Sequence, residues 1–597
     1  MIKSIISMKR HLLCAVVAAM FFSVLPMGAQ IRGFRQEQLK EWEFSKDGSN
    51  WETVAVPHSY NAEDGHSPYY YRGKATYRCD LRITDIKKTH YLFFEGAAQA
   101  AVVKVNGEQV AIHKGGYTPF SVNITEALTK GVNRLEVICD NTEDVQMAPV
   151  TSDFNKNGGL HNPVWLLVME DVYLTPEDYG MYRIRCEIPE VTKKKVVTNV
   201  RTKIVNSGNR DANILVRVQL LESNGQLAYQ ADREIPVGAF SEYDFDHEFL
   251  LSGVHLWDGV KDPYLYTLRV ELFKGKRMMD IAETKIGYRS IEMDPERGFL
   301  LNGRPYRLRG VAMHQDTDGK ASALTQADYR RDYRIVKELG ANFLRLAHYP
   351  HNDFAFQQCD SLGIIVQTEV PWVNVCGENA PQSYFNNIHH QMKEMVNNLY
   401  NHPSIAFWGM WNELDTWGNN SDLQGAFDAE RVARETKRLY EYTKSLDPDR
   451  YVGFTDCSRL ARDGYPYLKG DFCSQNIYYG WYWTPNDFSG LTTSLKKVRE
   501  LRPDCPINLS EYGVGINPFC HVWNQADAVR DKEDDSRHYE EYGNRFHESY
   551  VRQIKAMPWL NFTSVWVLFD FPVANRQEGY MDSEDGVKFV RNNDRKY

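Results

Sequence analysis

The sequence predicts two β-sandwiches followed by a (β/α)8 barrel, and three observations carry that expectation. The chain has 597 residues, 43% of them hydrophobic and 25% charged, which suits several globular domains rather than one small binding module. Up to about residue 290, short strand-like runs alternate with turn residues. After Gly287, apolar runs alternate with amphipathic segments at a regular interval.

The first residues read as a leader. Lys9 and Arg10 precede an apolar stretch from Leu12 to Pro26 and the small residues Gly28 and Ala29, the order of a secretory signal peptide over residues 1–29. The apolar run is shorter than the roughly 20 residues that span a bilayer, and no later segment is long and uncharged enough to do so. Export to the periplasm or the cell exterior is therefore expected, without a membrane span. A lipoprotein anchored at Cys14 is the weaker alternative, because Leu12 and Leu13 precede that cysteine where small residues are usual. The sandwich strands follow, at Tyr91 to Phe94, Ala101 to Val105, Arg134 to Cys139, Val164 to Met169, Ile214 to Leu220 and Tyr266 to Leu272. Their extent suggests one sandwich over residues 30–178 and another over 179–290.

The barrel is expected over residues 291–597. Its strands are Tyr306 to Val311, Phe343 to Ala347, Ile364 to Thr368, Ile405 to Met410, Tyr451 to Thr455, Phe472 to Ile477, Ile507 to Leu509 and Ser564 to Phe569. Ala327 to Leu339, Ile388 to Tyr400 and Ala429 to Ser445 carry apolar residues three and four apart, as helices packed on a sheet do. A doubly wound sheet would alternate similarly, but it should carry a glycine-rich phosphate turn. Gly513-Val514-Gly515 lacks the third glycine.

Functional groups of such barrels project from the C-terminal strand ends. Here those ends are polar and aromatic: His314, His348, Glu369, Asn412-Glu413, Tyr478, Glu511 and Trp566. Glu413 and Glu511 follow strands 4 and 7, on opposite sides of the mouth, where two carboxyls can flank one bond. Glycoside hydrolysis needs such a pair, one carboxyl protonating the leaving oxygen while the other attacks or directs water. Ser-His-Asp chemistry is the rival, and no GxSxG elbow supports it.

These blocks resemble family 2 of the glycoside hydrolases, which holds β-galactosidases, β-glucuronidases and β-mannosidases. The resemblance rests on Asn412-Glu413, Glu511, Asn342 to His351, Asn401 to Ser404 and Trp566 to Phe571, and it covers essentially all of the chain after the leader. It implies a jelly-roll sugar-binding-like sandwich, an immunoglobulin-like sandwich and a catalytic barrel. It also implies a retaining mechanism with Glu511 as nucleophile and Glu413 as acid/base. Asn412 is similar to the amide that binds the sugar 2-hydroxyl, and Tyr478 to the phenol beside the nucleophile. His314, His348 and Trp566 resemble glycone-pocket residues. Asp153 matches a loop by which the first sandwich reaches into the pocket, although Asn162 stands downstream where arginine is usual. A polar tail follows Phe571, so against the family pattern the barrel is expected to lack its last helix, as in a C-terminally truncated form.

The expected function is that of an exo-acting β-glycosidase, foremost a β-galactosidase, with β-glucuronidase, β-mannosidase or a non-catalytic carbohydrate-binding protein as alternatives. The expected partner is an oligosaccharide or glycan, and a homo-oligomer is compatible with this reading. The balance of 70 basic against 79 acidic residues, a net charge of -9, argues against nucleic acid. Thirteen Trp and 35 Tyr suit stacking on sugar rings as well as core packing. The cysteines after residue 29 show no CxxC pair and read as buried thiols, and neither a metal site nor a cofactor is expected.

Overall fold

The computed structural model describes residues 35–573 except 66, 68, 193, 415–423, 458–467, 518–519 and 531–537, with three short strands at 581–582, 588–590 and 594–595. The expected leader and Cys14 lie outside the described residues, as does most of the tail on which the missing last helix was expected.

Strict apolar alternation builds the first sandwich. Lys74–Ile83 buries alternate residues, among them Tyr77 and Leu81, and pairs in full register with Gly131–Asp140. These strands centre a six-stranded sheet, which packs on a four-stranded sheet containing Thr89–Phe94 and Val164–Met169. Trp42, Phe44, Leu92, Phe94 and Val137 fill the space between. Burying such side chains contributes about 1.5–3 kcal/mol each. Val172–Leu174 already pairs with Val196–Asn206 of the second sandwich, so the chain crosses between the two before residue 178. In that second sandwich Val196–Asn206 and Ala212–Leu221 face each other across a core of Val200, Ile204, Val216, Val218 and Leu268.

Eight parallel strands close the barrel, Leu308–Met313, Phe343–Leu346, Ile365–Glu369, Ile405–Asn412, Tyr451–Asp456, Phe472–Asn476, Ile507–Tyr512 and Phe562–Val565, with the first paired to the last. The eighth strand ends before the expected Phe569 and leaves Trp566 just beyond it. Register explains the shift, since Phe562 faces Leu308 at the first strand's start and Val565 faces Val311. The helix expected from Ile388 begins earlier, at Gln382, and the buried Tyr384 and Phe385 extend its apolar period by a turn.

Phe343, Phe407, Phe472 and Phe562, one from each even-numbered strand, form a ring layer at the N-terminal end. The hairpin Ile291–Asp294 and Gly298–Leu301 plugs this end, with Phe299 5.7 Å from Phe407. Chemistry is thereby confined to the opposite end.

A charged cluster of the barrel anchors Tyr182 of the second sandwich. Tyr182 donates to Asp353, and His402 lies between Asp353, 2.9 Å away, and Asp360, 2.6 Å away. Burial disfavours the imidazolium, but Asp360 and Asp353 outweigh it and raise the His402 pKa to about 10. A raised pKa stabilises the fold fully below the ordinary value of 6.5, and the contribution is lost as pH rises through 10. The melting midpoint is accordingly expected to fall between about pH 7 and about pH 10, and to fall less steeply in His402→Gln. Parallel pH profiles of the two proteins in scanning fluorimetry would show that His402 carries no such charge.

Candidate active site

Barrel strands turn every second side chain inward, and the inward positions here become polar toward the C-terminal end. Strand 2 runs from Phe343 to Arg345, strand 6 from Phe472 through Ser474 to Asn476, and strand 8 from Phe562 through Ser564 toward Trp566. Glycine at 409 is required here, because a Cβ would lie 2.5 Å from that of Glu369.

Arg345 is fully buried and organises what lies above it. Its Nη1 donates to Glu511 Oε1, and its Nη2 donates to Asn412 Oδ1 at 2.8 Å and lies 3.0 Å from Glu369 Oε1. Tyr478 donates its hydroxyl to the other oxygen of Glu511 at 2.6 Å. Asn476 Nδ2 donates to Glu413 Oε1 at 2.7 Å and lies 3.2 Å from Asn412 Oδ1, while Ser510 donates to Asn476 Oδ1 and holds the amide in that sense. A continuous polar chain thus runs Glu511, Arg345, Asn412, Asn476, Glu413. Glu413 itself has φ of 50°, the left-handed region, at a cost of about 1–2 kcal/mol for a side chain of this size. Its N–H is held by Thr455 O at 2.9 Å.

Glu511 receives a cation and a phenol, and Glu413 receives the Asn476 amide. Burial alone would raise the pKa of Glu369, but the charge of Arg345 and a hydrogen bond with His348 hold it below the ordinary carboxylate value. Glu369 therefore serves as a second counter-ion to Arg345.

An aromatic wall stands beside this chain. His348 stacks on Trp566 at 5.0 Å, and its Nε2 is 3.8 Å from Glu511. His314 meets Trp566 edge-on at 5.3 Å and Phe571 at 4.2 Å, and lies 3.2 Å from the Tyr349 hydroxyl. The Trp566 indole N–H is buried with no hydrogen-bond partner. Phe154, from the first sandwich, packs 5.2 Å from His314 and 6.0 Å from His348, bringing the half-buried Asp153 to the barrel's edge. Asn162 donates to Glu95 O and makes a longer contact to Gln315, so the residue that replaces the usual arginine sits in the interface between sandwich and barrel.

The structure thus gathers Glu413, Glu511, Asn412, Tyr478 and His348 into one bonded cluster, with His314 and Trp566 as its wall and Asp153 at its margin. Arg345 and Phe154 complete the site without having been singled out from sequence, and Glu369, Asn476 and Ser510, which stand at strand ends, had been given no role there. The available signal was periodicity, since an arginine at an inward position of the apolar run Phe343-Leu344-Arg345-Leu346 must find buried counter-ions.

Family models match along the same divisions: "Glycosyl hydrolase 2 galactose-binding domain-like" at residues 52–163, "Glycosyl hydrolases family 2" at 183–289, and "Glycosyl hydrolases family 2, TIM barrel domain" at 293–593. The chain belongs to glycoside hydrolase family 2. Within this family it is similar to a β-glucuronidase of Bacteroides fragilis, with 30% identity over 88% of this chain and 74% of that protein. It is also similar to a β-galactosidase of Thermoanaerobacterium thermosulfurigenes, with 28% identity over 81% of this chain and 64% of that protein. The solved structure of Bacteroides uniformis β-glucuronidase 2, covalently bound to cyclophellitol-6-carboxylate aziridine, superposes with a TM-score of 0.84 at 28% identity. That match covers 91% of this chain and 66% of the other, so this family 2 chain spans about two thirds of these relatives.

Removing the guanidinium strands two buried carboxylates, and breaking a buried pair in this way costs about 3–5 kcal/mol. Arg345→Met is expected to lower the melting midpoint at about pH 7, with the deficit narrowing toward about pH 4. The sign follows from Glu369: its depressed pKa stabilises the wild type above the ordinary 4.5, and that gain disappears as acid protonates it. A deficit that does not change with pH would refute the electrostatic account.

Proposed function

We propose that the chain is a retaining, exo-acting β-glycosidase with Glu511 as nucleophile and Glu413 as acid/base, and that its preferred glycone is galactose. The observation that carries the reading is the joining of the two carboxyls, from opposite sides of the barrel mouth, by one hydrogen-bonded chain. A nucleophile must remain anionic, and Arg345 supplies its countercharge while Tyr478 fixes its orientation. An acid/base must gain and lose a proton, and the Asn476 amide, which donates to Glu413 Oε1, holds this carboxyl in place for that exchange.

In the first step Glu511 attacks the anomeric carbon as Glu413 protonates the departing oxygen, leaving a glycosyl ester. Forming the ester neutralises Glu511, which favours loss of the Glu413 proton, and Glu413 then takes a proton from the attacking water. Asn412, positioned by Arg345 and Asn476, is placed for the sugar 2-hydroxyl, a contact that strengthens in the transition state. The unpaired Trp566 N–H offers a donor to a further hydroxyl, and His314, His348 and Asp153 shape the remaining wall.

A neutral glycone fits because both terminal nitrogens of Arg345 are committed to protein acceptors. β-Glucuronidase is the second reading, favoured by the names of the Bacteroides relatives. The leader reading extends the proposal to action outside the cytoplasm on an oligosaccharide or glycan, with a mature N-terminus near Gln30.

A panel of nitrophenyl β-glycosides tests both the chemistry and the glycone. Glu511→Gln is expected to abolish turnover of every substrate. Glu413→Ala should regain part of its activity with azide when the leaving group is activated. Turnover that survives in Glu511→Gln would sink the mechanism, hydrolysis of the glucuronide over the galactoside would select the second reading, and no cleavage by the wild type would favour a carbohydrate-binding protein.

A further inference from the structure

Away from the carboxylate pair, three side chains converge where the first sandwich meets the barrel. The helix Gln382–Leu399 presents His390 and Glu394, four residues apart and hence on one face. His113, 281 residues before Glu394 in sequence, reaches the same point from strand Glu108–Lys114. Both imidazole Nε2 atoms lie 3.0 Å from the same oxygen, Glu394 Oε1, and the ligand atoms of the three residues all lie within 4.8 Å of one another.

A helix ion pair at this spacing is ordinary; convergence of a third donor from another domain on the same oxygen is not. We propose that His113, His390 and Glu394 form an interdomain site for a zinc-like divalent cation. Two imidazoles and one carboxylate are a donor set that zinc takes with a fourth position left to water. Ligands at about 2.0–2.1 Å around a tetrahedral ion stand roughly 3.3 Å apart, close to the 3.0 Å between each imidazole Nε2 and Glu394 Oε1.

Packing and one hydrogen bond orient two of the ligands, although the second ring nitrogen of His113 is buried without a partner. His113 is buried and stacks on Phe120 at 3.9 Å and 12°, which fixes its ring plane. Thr118 donates to Glu394 Oε2 at 2.6 Å, orienting the carboxylate and leaving Oε1 turned to the two histidines. The His390 side chain, 54% exposed, provides the path by which the ion enters and the open side for water. A cation here would fasten the sandwich that carries Asp153 and Phe154 to the barrel helix beneath it.

The test uses the full chain, stripped with chelator and titrated with zinc sulfate in a calorimeter, with the melting midpoint followed in parallel. One equivalent should bind and raise the midpoint. His390→Ala, a change at a half-exposed position, should fold with the apo midpoint of the wild type yet lose both responses. Thr118→Val should retain the site with affinity about 10–100-fold weaker, as loss of an orienting partner does elsewhere. His521 faces Glu540 and Glu541 on the surface and is the control. No binding by the wild type, binding undiminished in His390→Ala, or binding abolished by His521→Ala would each overturn the proposal.

Discussion

The buried guanidinium of Arg345 is the constraint from which the rest of the site follows. A cation with no exposure to water must be neutralised, and within the barrel mouth that role falls to Glu511 and Glu369, with Asn412 accepting a further proton. Once those bonds are made, the positions of strands 2, 3, 4 and 7 are fixed relative to one another by charge rather than by packing alone. The lower barrel supplies the contrast, since phenylalanine rings from alternate strands exclude water and make the polar layer above them costly to leave unpaired.

Much of this was legible in the sequence. The eight apolar runs and the amphipathic segments between them identified the barrel, and the rule that strand ends carry function brought out Glu413 and Glu511 directly. Arg345 was less visible because it lies one layer below the strand end, where a reading of terminal residues does not look. Asn476 stood in plain view, but whether it faces Glu413 or the helices depends on a register shift between strands 6 and 7 that no periodicity announces. Contacts between domains were the least accessible. Nothing in local pattern links His113 to Glu394, or Phe154 to His314, because docking of preformed surfaces brings them together.

That docking determines what kind of pocket this is. The first sandwich contributes Phe154 to the aromatic wall, Asn157 to Asp316, and Glu95 to Asn352 in the loop after strand 2. Glu95 is half-buried among these contacts, and burial raises its pKa to about 7. One side of the pocket is thus built by a domain that contributes neither of the two carboxylates.

The pairing of the first barrel strand with the eighth has a consequence for synthesis on the ribosome. Both sandwiches precede the barrel, and each can complete its sheets while the rest of the chain is still being made. The barrel cannot, because Leu308 must wait for Phe562 before its edge is satisfied. Arg345 and its counter-ions emerge during that wait, in a sheet still open at both sides. Translation therefore delivers the first sandwich's share of the pocket early and the closed barrel last, so a chain halted before strand 8 would hold the ordered sandwiches beside an unfinished site.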